Sequence, residues 1–172
     1  MSDTYLPVTV VNHAAIDIAV APDTVWCLIL DQFRDAKRWR ELGYSIAPID
    51  DPAAIYGGYR MYMENDSKIV DDRICMVTEI DEAERRLSLC ADYLTTPGGV
   101  LVYVTYQAHP TAQGTRYTMD CHTRVGIEMP ARDCDVAASI EAIKNHSDTH
   151  LADYLARTKA SLEATGVAAR RK

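Results

Sequence analysis

Between Ala131 and Thr165 the chain contains neither Pro nor Gly, and Val136, Ile140, Ile143, Ser147, Leu151, Tyr154, Thr158 and Leu162 recur there at helical spacing. At about 1.5 Å per residue, such a stretch makes a rod of roughly 45 Å. Its mostly apolar face has to be covered. The remainder of the chain offers strands for that purpose, so the pattern predicts a curved sheet gripping a terminal helix. A sheet wrapped around a rod tends to enclose a cavity, and function is expected in that cavity.

The strands lie upstream. Val8–Val20 alternates, with Ala14, Ile16, Ile18 and Val20 on one face. Pro22 can open a helix, where its missing N–H costs nothing, and Val25, Trp26, Ile29, Leu30 and Phe33 give that helix a buried stripe. A second short helix is expected over Asp35–Leu42, stopped by Gly43 as a left-handed cap. From Tyr44 the period becomes two. Strands are expected at Tyr44–Ile49, Tyr59–Glu64, Lys68–Ile80, Arg86–Leu94, Val100–Ala108 and Thr115–Ile127. Short connections between consecutive strands imply an antiparallel sheet. The expected class is therefore α+β. One domain is expected over residues 8–165, with residues 1–7 and 166–172 as flexible tails.

The formal net charge of -7 argues against nucleic acid or an anionic membrane as the main partner. No stretch of about 18 apolar residues is present to span a bilayer, and Met1–Pro7 does not read as a secretory leader. Five scattered cysteines without a CxxC pair fit reduced thiols in the cytoplasm, not a disulfide frame or a zinc site. No metal-binding spacing, Walker loop, GxGxxG or GxSxG motif occurs, so neither metal nor cofactor is expected.

The order of elements, together with several local segments, resembles the START-like helix-grip superfamily, also called SRPBCC or birch-pollen-allergen-like. The segments are Ile18–Trp26, Gly57-Gly58-Tyr59-Arg60, Glu79-Ile80-Asp81, Arg85–Ser88 and Gly114-Thr115. The likeness runs from about Asn12 to Ala164. It implies six or seven strands wrapped around the last helix, and an apolar cavity between them. Within the superfamily the polyketide cyclase/dehydrase branch is the most similar, which would place Trp39 among the residues lining the pocket. That branch has an arginine near the end of one strand where this chain has Glu79.

Strand alternation nominates the lining. Tyr117, Met119, Cys121, Thr123 and Val125 share one face of their strand, while Asp120 and His122 share the opposite face and read as solvated charges. Val102, Val104 and Tyr106 share the apolar face of the preceding strand. Met61, Met63 and Met119 would be adaptable contacts. On the long helix Ser147, Leu151 and Tyr154 fall on the buried stripe, with His150 at its edge and His146 at the cavity mouth.

The hairpin over Lys68–Leu94 has two candidate registers. Hydrophobicity turns Ile74, Met76, Thr78 and Ile80 inward, with Leu87, Leu89 and Ala91 opposite. The resemblance turns in Arg73, Cys75, Val77 and Glu79, with Ser88, Cys90 and Asp92. A slip of one residue flips every side chain. In the second register Arg73, Glu79 and Asp92, with Tyr106, would form a catalytic set.

Two functions from different classes follow. One is a cofactor-independent cyclase, dehydratase or other lyase or isomerase acting on an aromatic or polyketide-like molecule, which is slightly favoured. The other is a non-catalytic carrier or sensor for a lipid or sterol-type ligand. A homodimer formed through apolar strand faces is a weaker third possibility.

Overall fold

A computed structural model describes residues 5–49, 57–129 and 132–169. The expected order is present: β1 (Tyr5–Ile18), α1 (Pro22–Ile29), a π turn (Leu30–Arg34), α2 (Lys37–Glu41), β2 (Ser45–Pro48), β3 (Gly58–Asn65), β4 (Lys68–Asp81), β5 (Arg86–Tyr93), β6 (Val100–Thr111), β7 (Gly114–Glu128) and α3 (Asp133–Ala169). The seven strands form one antiparallel sheet in the order β1-β7-β6-β5-β4-β3-β2. Consecutive strands are neighbours from β2 to β7, and only β1 crosses to pair with β7.

Tyr5–Pro7, expected in a tail, belong to β1 and pair with Gly126–Glu128, the three β7 residues that extend past its ladder with β6. At the other end the helix backbone continues through 166–169. Residues 1–4 and 170–172 of the expected tails, with 50–56 and 130–131, lie outside the described residues.

The inner face of the sheet carries the core. Ile18, Tyr59, Met61, Cys75, Val77, Leu87, Leu89, Val104, Tyr106, Ala108, Tyr117 and Met119 join Val25, Trp26, Ile29 and Phe33 from the first helical segment and Leu151, Tyr154 and Leu155 from α3. The two halves of α3 differ. Leu151, Tyr154, Leu155 and Thr158 are buried, whereas Val136, Ile140, Ile143 and Ser147 are only half-buried. The C-terminal half therefore packs on the sheet, and the N-terminal half stands over a hollow.

Polar contacts fix how α3 lies. The Asn12 amide donates to the Lys144 carbonyl (3.1 Å) and to Asp148 Oδ1 (2.7 Å). Further along, Lys159 Nζ donates to the Asp17 carbonyl (2.8 Å), and the Ala19 N–H donates to Glu163 Oε1 (2.9 Å). All four tie the helix to β1 and its exit, so the helix is pinned along one edge of the sheet and the space beside it stays open.

One glycine is required by geometry. Gly114 begins β7 at φ +145, and a Cβ there would sit 2.3 Å from the Ile18 carbonyl oxygen. Gly114→Ala is expected to cost at least about 2 kcal/mol, read as a lowered urea midpoint at unchanged slope.

Candidate functional site

The lining is positioned from three sides. On the first, α1 passes into the π turn, where the Asp35 N–H reaches back to the Leu30 carbonyl (3.0 Å). Ala36 then takes a left-handed φ of 54 before α2 starts. This reversal aims both Phe33 and Trp39 inward, with ring centroids 6.3 Å apart. Phe33 stacks on Tyr106 of β6 at 3.9 Å. The Trp39 indole N–H donates to the Tyr59 hydroxyl (3.0 Å), which itself donates to the Phe33 carbonyl (2.9 Å). Trp39 is thus held by its polar edge and offers its faces to the cavity.

The second side is the sheet: Arg73 from β4, Tyr93 at the end of β5, Val100, Val102, Val104 and Tyr106 from β6, and Met119, Cys121 and Thr123 from β7. The third is α3, which contributes His146, Ser147, His150, Leu151 and Tyr154. Together they enclose about 590 Å³, within the range of small-molecule sites. Leu42, His146 and His150 are exposed lining residues and mark its opening; Phe33, Val104, Tyr106, Met119 and Tyr154 are buried and form its floor. A larger hollow of about 660 Å³ lies between β1 and α3, bordered by Val11, His13, Lys144 and Asp148. It has no aromatic wall, and the aromatic cavity is the better binding site on chemical grounds.

One charged cluster is built into the cavity wall. Arg73 has a side chain 16% exposed and forms a two-point ion pair with Asp71, one arm of which is Nε to Oδ1 at 2.9 Å. Tyr44 donates to Asp71 Oδ2 (2.6 Å) and accepts from Arg73 (3.2 Å). The guanidinium also stacks on Tyr93 at 4.2 Å. Burial alone would raise the Asp71 carboxyl, but hydrogen bonds from Arg73 and Tyr44 outweigh it and hold the group below the usual carboxylate range. Burial works against the Arg73 charge, and Asp71 restores it. The Tyr44 phenol is pushed up to about 12 by burial and by its bond to Asp71. The cluster is therefore an ion pair plus a neutral phenol near pH 7.

The other phenols are neutral as well. Burial drives Tyr106 and Tyr117 well above their ordinary value, and raises Tyr93 and Tyr154. The Tyr154 hydroxyl donates to Gln32 Oε1 (2.6 Å), which leaves Tyr117 as the donor to Tyr154 at 3.3 Å. The Tyr93 and Tyr106 hydroxyls make no hydrogen bond to any described residue, so both are free for a ligand. The Cys121 thiol is pushed up to about 12 by burial and is no nucleophile near neutral pH.

The structure sorts the expected site residues. Arg73, Tyr106, Trp39, Val102, Val104, Met119, Cys121, Ser147, Leu151 and Tyr154 line the cavity. Glu79 and Asp92 do not, and their expected catalytic placement is corrected by a β-bulge. The β4–β5 ladder pairs Arg73 with Tyr93, Cys75 with Ala91 and Val77 with Leu89, then shifts, so that Glu79 meets Ser88 and Ile80 meets Leu87. Thr78 is the extra residue. Before the bulge Arg73, Cys75 and Val77 point inward; after it Ile80 does. On β5 the inward set is Leu87, Leu89, Ala91 and Tyr93. Each candidate register is right for part of the hairpin. Glu79 lies outside, bonded to Arg86 (2.6 Å) and Ser88 (3.0 Å), which hold its carboxyl low. Asp92 is exposed.

Six expected ligand contacts also lie away from the lining. Cys90 is turned outward by the β5 register, opposite Tyr103. Met61, Cys75, Val77 and Tyr117 face inward but are fully packed, with the Cys75 thiol 3.7 Å from Met61 Sδ. Met63 is half-buried beside Asp71. Asp120 bonds His13 across the outer face of β1–β7 at 2.6 Å, in keeping with a solvated row. Arg38, Leu42, Tyr44, Tyr93, Thr96 and Phe33 line the cavity without having been expected there. Of these, Tyr93 was reachable, because it continues the Leu87, Leu89, Ala91 alternation.

Glu79→Gln and Asp92→Asn are accordingly expected to shift stability by no more than about 0.5 kcal/mol, since both groups are solvent-screened, and to leave ligand affinity unchanged in a titration.

Comparison with known proteins gives the fold. No protein-family model matches the chain, and no curated protein matches it in sequence. Solved structures do match in shape. SA2116 from Staphylococcus aureus, a protein of unknown function, superposes with a TM-score of 0.68 at 12% identity, covering 94% of this chain and 97% of that one. Ara h 8.0201 superposes at 0.55 and 12% identity, covering 84% and 97%. Norcoclaurine synthase from Thalictrum flavum, in complex with dopamine and hydroxybenzaldehyde, superposes at 0.53 and 17% identity, covering 84% and 89%. The chain shares with these structures the helix-grip fold, a curved antiparallel sheet wrapped around a long C-terminal helix. No helix among the described residues is long and apolar enough to cross a membrane.

Proposed function

We propose that the protein binds an apolar, largely aromatic small molecule in the cavity between the sheet, α2 and α3. The observation that carries this is the lining itself. Phe33, Trp39, Tyr44, Tyr93, Tyr106 and Tyr154 supply rings, valines supply an apolar wall, and the free Tyr93 and Tyr106 hydroxyls supply polar anchors. Desolvating a flat apolar body of about 250 Å² at roughly 25 cal/mol per Å² gives some 6 kcal/mol before ordering costs, which corresponds to a dissociation constant of roughly tens of micromolar when those costs are small.

A binding role is favoured over a catalytic one by the state of the titratable groups. No Asp or Glu is among the described lining residues. Asp71 behind the wall is committed to Arg73 and Tyr44, so it holds no proton to trade near neutral pH. A lyase or isomerase would have to work through Arg73 and Tyr106, the two expected catalytic groups that do line the cavity. Its support is the neutral, unpartnered Tyr106 phenol, a possible proton donor. The solved norcoclaurine synthase complex shows that a protein of this fold takes aromatic molecules.

Native mass spectrometry with excess pyrenebutanol, a neutral aromatic probe, tests the binding. A one-to-one adduct that survives gentle ionisation and is lost on denaturation is expected. The absence of any adduct at high micromolar probe contradicts it. Turnover of aromatic or polyketide-like substrates that disappears in Tyr106→Phe would move the protein to the catalytic class.

A further inference from the structure

We propose that the ligand of this cavity is an amphipathic carboxylic acid, held by its carboxylate at the cavity mouth on Arg38 with its apolar body inward. This rests on the cavity-binding function above and adds the ligand's charge and orientation.

The two cavity arginines differ in one decisive way. Arg73 is matched by Asp71. Arg38 has neither a hydrogen bond nor an ion pair to any described residue. Instead its guanidinium lies over the Tyr154 ring at 4.6 Å and the Trp39 ring at 5.6 Å. Stacked by its face, a guanidinium keeps its N–H edge free, and that planar fork fits a carboxylate at two points. The rings on which it lies also exclude water from one side, which strengthens a pair formed there.

The surroundings favour an anion and disfavour a cation. Tyr154 sits one helical turn beyond His150, and His150 one turn beyond His146, so the three form a row on α3 that leads to Arg38. The two imidazoles stack with centroids 6.4 Å apart and add N–H donors at the opening. The described lining includes no carboxylate that would compete for Arg38 or attract a cationic ligand. This is an uncompensated positive mouth on a chain whose formal net charge is -7, so it is not a by-product of an overall basic surface. Below the mouth, Val102 and Val104 offer nothing that would stabilise a charge, and the Arg73 charge is already matched by Asp71. A carboxylate would therefore stay at Arg38 while the apolar body fills the floor.

A matched pair of probes tests this: pyrenebutyric acid and pyrenebutanol, which differ only in the charged end, titrated by pyrene fluorescence. The wild-type protein is expected to bind the acid about tenfold tighter than the alcohol or more, the range of a charge-assisted hydrogen bond. Arg38→Gln is expected to bring the acid within about twofold of the alcohol. Arg38→Lys, which keeps the charge but not the fork, should restore part of the preference. Equal binding of acid and alcohol by the wild type, or an acid preference that survives Arg38→Gln, overturns the assignment and leaves the cavity function standing. Binding of neither probe removes the cavity function and the assignment with it. If Arg38→Gln also loses the alcohol, the wild type decides alone: a preference that shrinks as salt is raised supports the charge pair, and one that salt does not move overturns it.

Discussion

Arg73→Met is expected to lower stability by about 3 kcal/mol and to reverse the way stability responds to acid. The substitution removes the guanidinium but leaves Asp71, 21% exposed, without its main partner. Breaking one side of a buried pair costs about 3–5 kcal/mol, and partial exposure puts this case at the lower end. In the wild type the Asp71 carboxyl titrates below its unfolded value of about 3.9. Its stabilising contribution is thus complete above that value and is lost as pH falls through the lowered one. Without Arg73, burial becomes the dominant influence and raises the carboxyl above its unfolded value. Acidification into the carboxylate range should then stabilise the variant relative to neutral pH. Urea midpoints between pH 4 and 7 measure both effects. Adding Asp71→Asn to the variant is expected to recover more than half of the loss, because the uncompensated charge is gone. If the single variant is as stable as the wild type at pH 7, the ion pair does not hold the cavity wall.

Phe33→Ala should cost about 3–4 kcal/mol, the usual range for removing a buried aromatic ring. Phe33 is 3% exposed and stacks on Tyr106 while meeting Trp39 and Tyr154 edge-on. It is also the point where the π turn meets the sheet. Its loss should therefore loosen Trp39 as well as create a void, and ligand affinity is expected to fall roughly tenfold along with the midpoint. Phe33→Leu, which keeps apolar volume without a ring, should recover most of the stability and less of the binding. A Phe33→Ala variant that unfolds at the wild-type midpoint would show that the π turn does not depend on this contact.

Long periodic segments carried the architecture openly. The apolar spacing in α3 and the alternation in β6 and β7 place Val102, Val104, Tyr106, Met119 and Cys121 on the cavity side, where they stand. Periodicity works there because both strands run without interruption across a buried face. The β4–β5 hairpin resisted because its inward face changes at Thr78, and a bulge of one residue leaves no mark in composition. Hydrophobicity and family likeness each described one side of that bulge, and so Glu79 and Asp92 were expected inside while Tyr93 was not. Arg38 was hidden for another reason. An arginine on a short helix looks like an ordinary solvated charge. Only the course that α2 takes after the left-handed residue Ala36 brings it over Tyr154. Asp71, too, reads as a surface carboxylate until its neighbour Arg73 and the distant Tyr44 are seen to close around it.

The most direct test of the cavity as the functional site is a titration of pyrenebutanol against the wild type and Val102→Trp. Val102 lies on β6 in the cavity wall, not in the packed core, so a larger side chain there fills empty space and should cost little stability. Saturable one-to-one binding to the wild type is expected, weakened tenfold or more in Val102→Trp, with both proteins unfolding at the same urea midpoint. Equal binding by the two proteins would place the ligand elsewhere and contradict the account.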